Sequence, residues 1–175
     1  MSRLVLYAAL LFVAVGSPLR AVPQAVAAQS ASPILSAAEA GKILPATVFF
    51  QGQSASIQAR NSAGIRFAKD SFMLVALVDS SGYSSEVQQK YQAYLITEEP
   101  VEVGGRRLAS GAYGCGFIEG NQFLVMDIGG HNLFTVASTR DAALHRPVPL
   151  QIVPDGSRYR LYFGRNYVDL AISAR

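Results

Sequence analysis

The chain has 175 residues, half of them apolar, with a formal net charge of +3, one cysteine and no tryptophan. This length and apolar content suit one domain with its own core, and a lone Cys115 excludes an intramolecular disulfide framework. Charge argues against nucleic acid as a partner: the longest basic run is Arg106-Arg107, whereas nucleic-acid binders cluster their cations in a stripe.

Residues 1–28 carry the pattern of a secretory signal. Arg3 precedes an apolar run from Leu4 to Val15, and Val26-Ala27-Ala28 supplies an A-x-A-like cleavage site before Gln29. The run is shorter than the roughly 20 residues a spanning helix needs, so the mature chain is expected to hold no transmembrane segment and to be periplasmic or secreted. Without Arg3 and Arg20, thirteen basic residues face twelve acidic ones, a mature net charge of about +1. No cysteine lies near the cleavage site to accept a lipid.

Residues 29–44 read as a flexible leader with a short helix. Ser36-Ala-Ala-Glu39 fits a capping box, and Pro45 stops the helix. From residue 45 to 175 a single β domain is expected. Thr47–Phe50, Ala55–Ala59 and Ile65–Phe67 are short β-prone runs separated by Gly, Ser and Asn. Phe72–Val78 is apolar at every position, so both of its faces must be covered. Ser84–Tyr91, with an acid near its start and Lys90 near its end, is the expected helical cover, its Val87, Tyr91 and Tyr94 forming a narrow stripe.

Tyr91–Thr97 resumes extended chain, and Val101–Val103 runs into a Gly104-Gly105 turn. In Gly111–Ile118, alternation puts Tyr113, Cys115 and Phe117 on one face and Ala112, Gly114, Gly116 and Ile118 on the other. Glu119-Gly-Asn121 closes a hairpin onto Gln122–Ile128, and Gly129–Asn132 turns into Leu133–Ala137. Ser138–Arg146 reads as a helical turn or crossover. Leu150–Val153, Arg158–Phe163 and Tyr167–Ile172 complete the set, with Tyr159, Leu161 and Phe163 facing the core and Arg158, Arg160 and Tyr162 facing out. The expected fold is mainly β: an antiparallel meander of about ten short strands forming a sandwich or barrel, with one or two short helices.

The glycine-rich segment is not read as a phosphate loop. Such a loop follows a strand and opens a helix, whereas the spacing here is G-x-x-G-x-G with no helical pattern after it. The Ala112-Gly114-Gly116 face instead lets a bulky group approach the backbone. Asp127, His131 and Cys115 could be drawn as a thiol nucleophile with its base and orienter, yet a buried thiol and a turn histidine account for the same residues. His131 and His145 lie far apart and Glu98-Glu99 alternate across a strand, which leaves no metal-ligand spacing. Neither G-x-S-x-G nor Ser-x-x-Lys pairing suggests a serine enzyme. The chain is therefore read as non-catalytic, with no catalytic, metal or cofactor residues assigned and no cofactor expected.

Tyrosine is the more suggestive supply: Tyr83, Tyr91, Tyr94, Tyr113, Tyr162 and Tyr167 recur near predicted turns or outward faces, where its amphipathic ring suits pockets and interfaces. Ala112, Gly114, Gly116, Tyr113, Tyr91 and Tyr94 form the expected ligand or packing face. Two roles remain open: binding of a small apolar or amphipathic ligand there or in a barrel mouth, or a structural part in envelope assembly through an outward apolar face such as one side of Phe72–Val78.

Val101-Glu-Val-Gly-Gly-Arg-Arg-Leu-Ala-Ser-Gly-Ala-Tyr113 resembles a V-x-V-G-G-x-x-L-x-x-G-x-Y module of exported bacterial β-domains of unknown function. The tryptophan-containing segment that accompanies it there is absent here. The resemblance implies a strand, a Gly-Gly turn and a strand, and carries over no catalytic residue.

Overall fold

The computed structural model describes residues 33–172. Their first elements follow from local chemistry. The Ser36 hydroxyl caps Glu39 N–H while the Glu39 carboxylate accepts from Ser36 N–H at 2.9 Å, so the capping box nucleates α1 (Ala37–Ile43). The described residues just before it are not a free leader: β1 (Ile34–Leu35) joins the ladder of β3 (Gln53–Ala68), and Leu35, Ala40 and Leu44 are buried. Thus residues 33–44 are part of the same folded unit as the strands, while the expected signal over 1–28 and the leader's residues 29–32 lie outside the described residues.

After β2 (Thr47–Phe50), a turn with positive φ at Gln51 and Gly52 reverses the chain into β3. Two short runs separated by a turn were expected there, and one long strand with an irregular middle replaces them. Next come β4 (Ser71–Val78), α2 (Ser85–Lys90), β5 (Ala93–Thr97), β6 (Val101–Val103) and β7 (Arg106–Leu108). Then β8 (Gly111–Ile118), β9 (Gln122–Asp127), β10 (Asn132–Ala137), β11 (Thr139–Arg140), β12 (Gln151–Asp155), β13 (Arg158–Phe163) and β14 (Asn166–Ile172) follow. Fourteen strands, rather than about ten, arise because two-residue ladders count separately and the Gly-Gly hairpin supplies its own pair.

All ladders are antiparallel and make two sheets. The eight-stranded sheet runs β1-β3-β4-β5-β8-β9-β10 with β2 beside β3; the six-stranded sheet runs β12-β13-β14-β6-β7 with β11 beside β14. A pure meander would keep β6 and β7 between β5 and β8. Instead that hairpin leaves for the second sheet and pairs with β14, which makes the architecture a sandwich.

Between the sheets lies the main core, with Met73, Val75, Leu95, Cys115, Phe123 and Val125 meeting Val101, Val103, Leu161, Val168 and Leu170. The other face of the large sheet is also covered, as the all-apolar β4 demands. Leu74 and Ala76 pack against Leu35, Ala40 and Leu44, so α1 covers the middle of β4. The helix expected in that role, α2, lies further along: its Val87 and the following Tyr91 join Val48, Phe50 and Tyr83 over Val78, Tyr94, Leu124 and Met126. Neither face of Phe72–Val78 is left free for another chain. Tyr162 also departs from expectation: it faces outward yet is buried, because Tyr167 lies over it at 5.0 Å and its hydroxyl donates to Asp141 at 3.0 Å.

The glycine face explains the spacing of residues 111–118. A Cβ on Gly114 would overlap the ring of Phe50, and one on Gly116 would overlap the carbonyl oxygen of Lys90. Both glycines give the outer layer room to touch the sheet. Phe50→Ala is expected to cost about 3–5 kcal/mol and Gly114→Ala about 1–3 kcal/mol in urea denaturation. Combining them places the added methyl in the space the ring vacates, so the double variant is expected to be at least about 1 kcal/mol more stable than the sum predicts. Additive costs would show that the ring does not set the size limit at residue 114.

Candidate functional site

The three residues with a conceivable nucleophile geometry are not assembled. Cys115 stands opposite Val125 on β9 and points between the sheets, where it is fully buried. Burial pushes its thiol up to about 12 from an ordinary 9.0, so a thiolate is disfavoured at neutral pH. Asp127 and His131 instead clip the β9–β10 turn. The Asp127 carboxylate accepts from His131 N–H at 2.9 Å, and His131 Nδ1 lies 3.0 Å from its other oxygen. The backbone bond from His131 holds Asp127 below the ordinary carboxylate range. The imidazole itself is 81 % exposed. Among the described residues no group of three or more His, Cys, Asp or Glu side chains could hold a metal.

The predicted ligand or packing face divides. Ala112, Gly114 and Gly116 lie together with Tyr91 and Tyr94 on the outer side of the large sheet. Tyr113 points to the other side, where its hydroxyl donates to Ala109 carbonyl at 3.0 Å. The outer side is filled by the chain itself. Phe50 stacks on Tyr91 with ring centres 3.8 Å apart, and Tyr83 meets both rings edge-on. The single proton of the Tyr83 hydroxyl is shared between the carbonyls of Phe50 and Gln53, 3.0 and 3.1 Å away, tying the β2–β3 hairpin down. Tyr91 is fully buried, its hydroxyl without a partner among the described residues, and burial drives its phenol well above the ordinary value. What remains beside the rings is a small hollow of about 200 Å³ lined by Phe50, Gln51, Ser84, Glu86, Val87 and Met126 among others, smaller than usual for a small-molecule site.

Larger open space lies elsewhere. A groove of about 470 Å³ runs between α1 and β3, lined by Ala37, Ala38, Gly41, Lys42, Ala59 and Arg60. Its cause is an irregularity in β3. Ile57 faces Val78 but Ser62 faces Ala76, so residues 58–61 bulge out of the ladder with β4. Side chains replace the missing ladder bonds: Gln58 Nε2 donates to Val78 carbonyl at 3.2 Å and Asn61 to Gln58 Oε1 at 2.8 Å. The buried Ser62 hydroxyl is held 2.7 Å from Ala59 carbonyl and 3.3 Å from Ala37 carbonyl, joining bulge to helix. The small Gly41 lets α1 lie close on Ala59. The result is an apolar floor with Lys42 and Arg60 at its rim, neither in an ion pair among the described residues.

A second hollow of about 380 Å³ lies beside the end of α2, lined by Gln89, Lys90, Gln92, Phe117, Ile118 and Glu119. Two of its polar side chains, Gln92 and Lys90, are already engaged. The Gln92 amide exchanges both its bonds with the Phe117 backbone at 2.8 and 3.0 Å, and Lys90 pairs with Glu86 at 2.8 Å. The α1–β3 groove is therefore the better candidate, since neither of its cations is held in a close ion pair among the described residues, although Lys42 also lies in the field of Glu39. Sequence reasoning missed it; the signal was the small-residue run Ala37, Ala38, Gly41 beside Lys42, facing a bulge that no sequence period marks.

No protein-family model, no curated protein and no solved structure matches this chain.

The buried thiol gives a pH prediction with a definite sign. Its folded pKa lies above the unfolded one, so its contribution is fully present below about pH 9 and is lost as pH rises toward about 12, the unfolded chain releasing the proton first. Between pH 9 and 10 the unfolding free energy is expected to fall by up to about 1.4 kcal/mol from this group. Cys115→Ala should flatten that part of the curve, read by urea denaturation at stepped pH. An unchanged slope in the variant would exclude the thiol as its source.

Proposed function

We propose that this chain is an exported, non-catalytic β domain that binds a small amphipathic anion in the α1–β3 groove. One observation carries the reading: an apolar hollow of about 470 Å³, within the size range of small-molecule sites, is bordered by two cations that lack ion-pair partners among the described residues. An alkyl chain would lie on Ala37, Ala38, Gly41 and Ala59. Its acidic head would meet Lys42 and Arg60, the guanidinium offering two parallel N–H donors to a carboxylate or phosphate. Export follows from the basic, apolar and small-residue pattern of residues 1–28 and agrees with the resemblance of residues 101–113 to exported β-domains. The absence of an accessible nucleophile at Cys115 supports a binding role over a thiol-based one.

This reading moves the ligand from the glycine face, now occupied by Phe50 and the Lys90 carbonyl, to a place where the chain leaves space. Dodecanoate, dodecanol and dodecyltrimethylammonium separate the contributions of tail and charge by isothermal titration. Dodecanoate is expected to bind tightest, and Lys42→Glu with Arg60→Glu to weaken it about tenfold through the reversed charge. Ala38→Trp, on the exposed side of α1, is expected to fill the groove and abolish binding of both dodecanoate and dodecanol. Equal affinity for all three probes, or none for any, would remove the proposal.

A further inference from the structure

The large sheet ends in β10, and its far edge differs from every other open edge of the sandwich. Strands that pair on one side only expose a row of backbone N–H and C=O groups, which folded proteins blunt by shortness, charge or proline. Here β1 and β11 have two residues each. β7 has three, two of them Arg106 and Arg107. β12 contains Pro154 and ends in Asp155. β2 has four residues and its end is tied down by Gln51 N–H donating to Ile128 carbonyl at 2.8 Å. β10 alone has six residues, Asn132-Leu-Phe-Thr-Val-Ala137, with neither charge nor proline. A bulge at Asn132/Phe134 irregularises its start and leaves Phe134–Ala137 in regular register with β9.

The direction of the free groups follows from the ladder. Ser138 N–H donates to Asn121 carbonyl at 2.8 Å, continuing the register in which Val136 faces Phe123 and Phe134 faces Val125. Hydrogen-bonded pairs alternate along an antiparallel ladder. Phe134, Val136 and Ser138 therefore spend their backbone groups on the β9 side, while Thr135 and Ala137 turn theirs outward. Nothing among the described residues takes them up. The strand is held stiff for such a role: Phe134 lies under the Arg106 guanidinium at 5.7 Å, and Val136 packs against Gly104 of the neighbouring hairpin.

We propose that β10 is a dimerisation edge, pairing antiparallel with β10 of a second copy about a two-fold axis at Val136. In that register Thr135 faces the partner's Ala137, and Ala137 faces the partner's Thr135. Both pairs present outward groups, so each exchanges its N–H···O bonds in full. An uncharged strand brings no like charge across the axis, and the same stretch serves both copies, as an isologous contact requires. Any other extended chain would satisfy the same groups, but only a second copy is self-complementary at this register by symmetry alone.

Sedimentation velocity of the purified protein over a concentration series tests this. A reversible monomer–dimer equilibrium is expected. Thr135→Pro removes an outward N–H without touching the β9 ladder and is expected to raise the dimer dissociation constant about tenfold or more, since each of two symmetry-related bonds is lost. Should circular dichroism show that the proline variant fails to fold, Thr135→Lys decides the matter, by setting two like charges close to the axis. Amide hydrogen exchange gives an independent readout: Thr135 and Ala137 should gain protection as concentration rises, with Arg107 unchanged. A protein that stays monomeric throughout overturns the proposal, as does a dimer that neither variant weakens.

Discussion

The close approach of an aromatic ring to a strand backbone, Phe50 upon Gly114, is the contact on which the outer half of this structure depends. A sheet packed on one face alone tolerates any polar side chain on the other. This sheet is packed on both, and the outer layer is thin: a two-strand hairpin, two short helices and a cluster of tyrosines. Such a layer cannot shift outward without exposing Tyr91, Met126 and Leu124 together. Its depth is therefore set from below, by the absence of side chains at Gly114 and Gly116. The stacking of Phe50 on Tyr91 and the Tyr83 hydroxyl bonds to the hairpin carbonyls then fix the layer laterally. Aromatic pairs of this kind add about 0.5–1.5 kcal/mol beyond the area they bury.

The unpartnered hydroxyl of Tyr91 belongs to the same constraint. A phenylalanine would fill that volume without an orphaned polar atom, and a buried hydroxyl without a partner costs about 1–3 kcal/mol on mutational scales. The ring is satisfied by stacking and edge contacts, whereas the oxygen meets no partner among the described residues.

Much of the fold was legible because strand alternation and turn chemistry act locally. Residues 113, 115 and 117 do turn to one face and 112, 114 and 116 to the other; the Ser36 capping box forms; Gly120 and Asn121 do take positive φ in their hairpin. What was not legible depends on pairing between distant segments. Nothing in Val101–Leu108 says that its hairpin leaves one sheet for the other, because both destinations ask for the same alternation. The apolar residues of α1 are mostly small alanines and α2 carries only Val87, so neither helix names Leu74 as the residue it covers. Tyr162 is dry because of Asp141 and Tyr167, partners that no pattern in Arg158–Phe163 discloses. The candidate site shows the same division. The glycines announced a close approach, but the approaching ring lies 64 positions earlier. The groove was silent, since a bulge is a mismatch between two strands and belongs to neither sequence alone.

Once the chain has used its own aromatic residues to close the glycine face, its remaining chemistry lies at the two ends of the large sheet. The groove sits where α1 lies on β3; the unpaired edge is β10, with β4, β5, β8 and β9 between them in the sheet order. A ligand shifts a second equilibrium only through a difference in affinity for its two states. That difference needs an element with two arrangements connecting the sites. The intervening strands carry buried side chains on both faces, and their register is pinned by glycines that admit one position of the outer layer. No residue lining the groove belongs to β9 or β10. The proposed ligand site and the proposed dimer edge are thus expected to behave as independent equilibria, a ligand at the first leaving the second where it was.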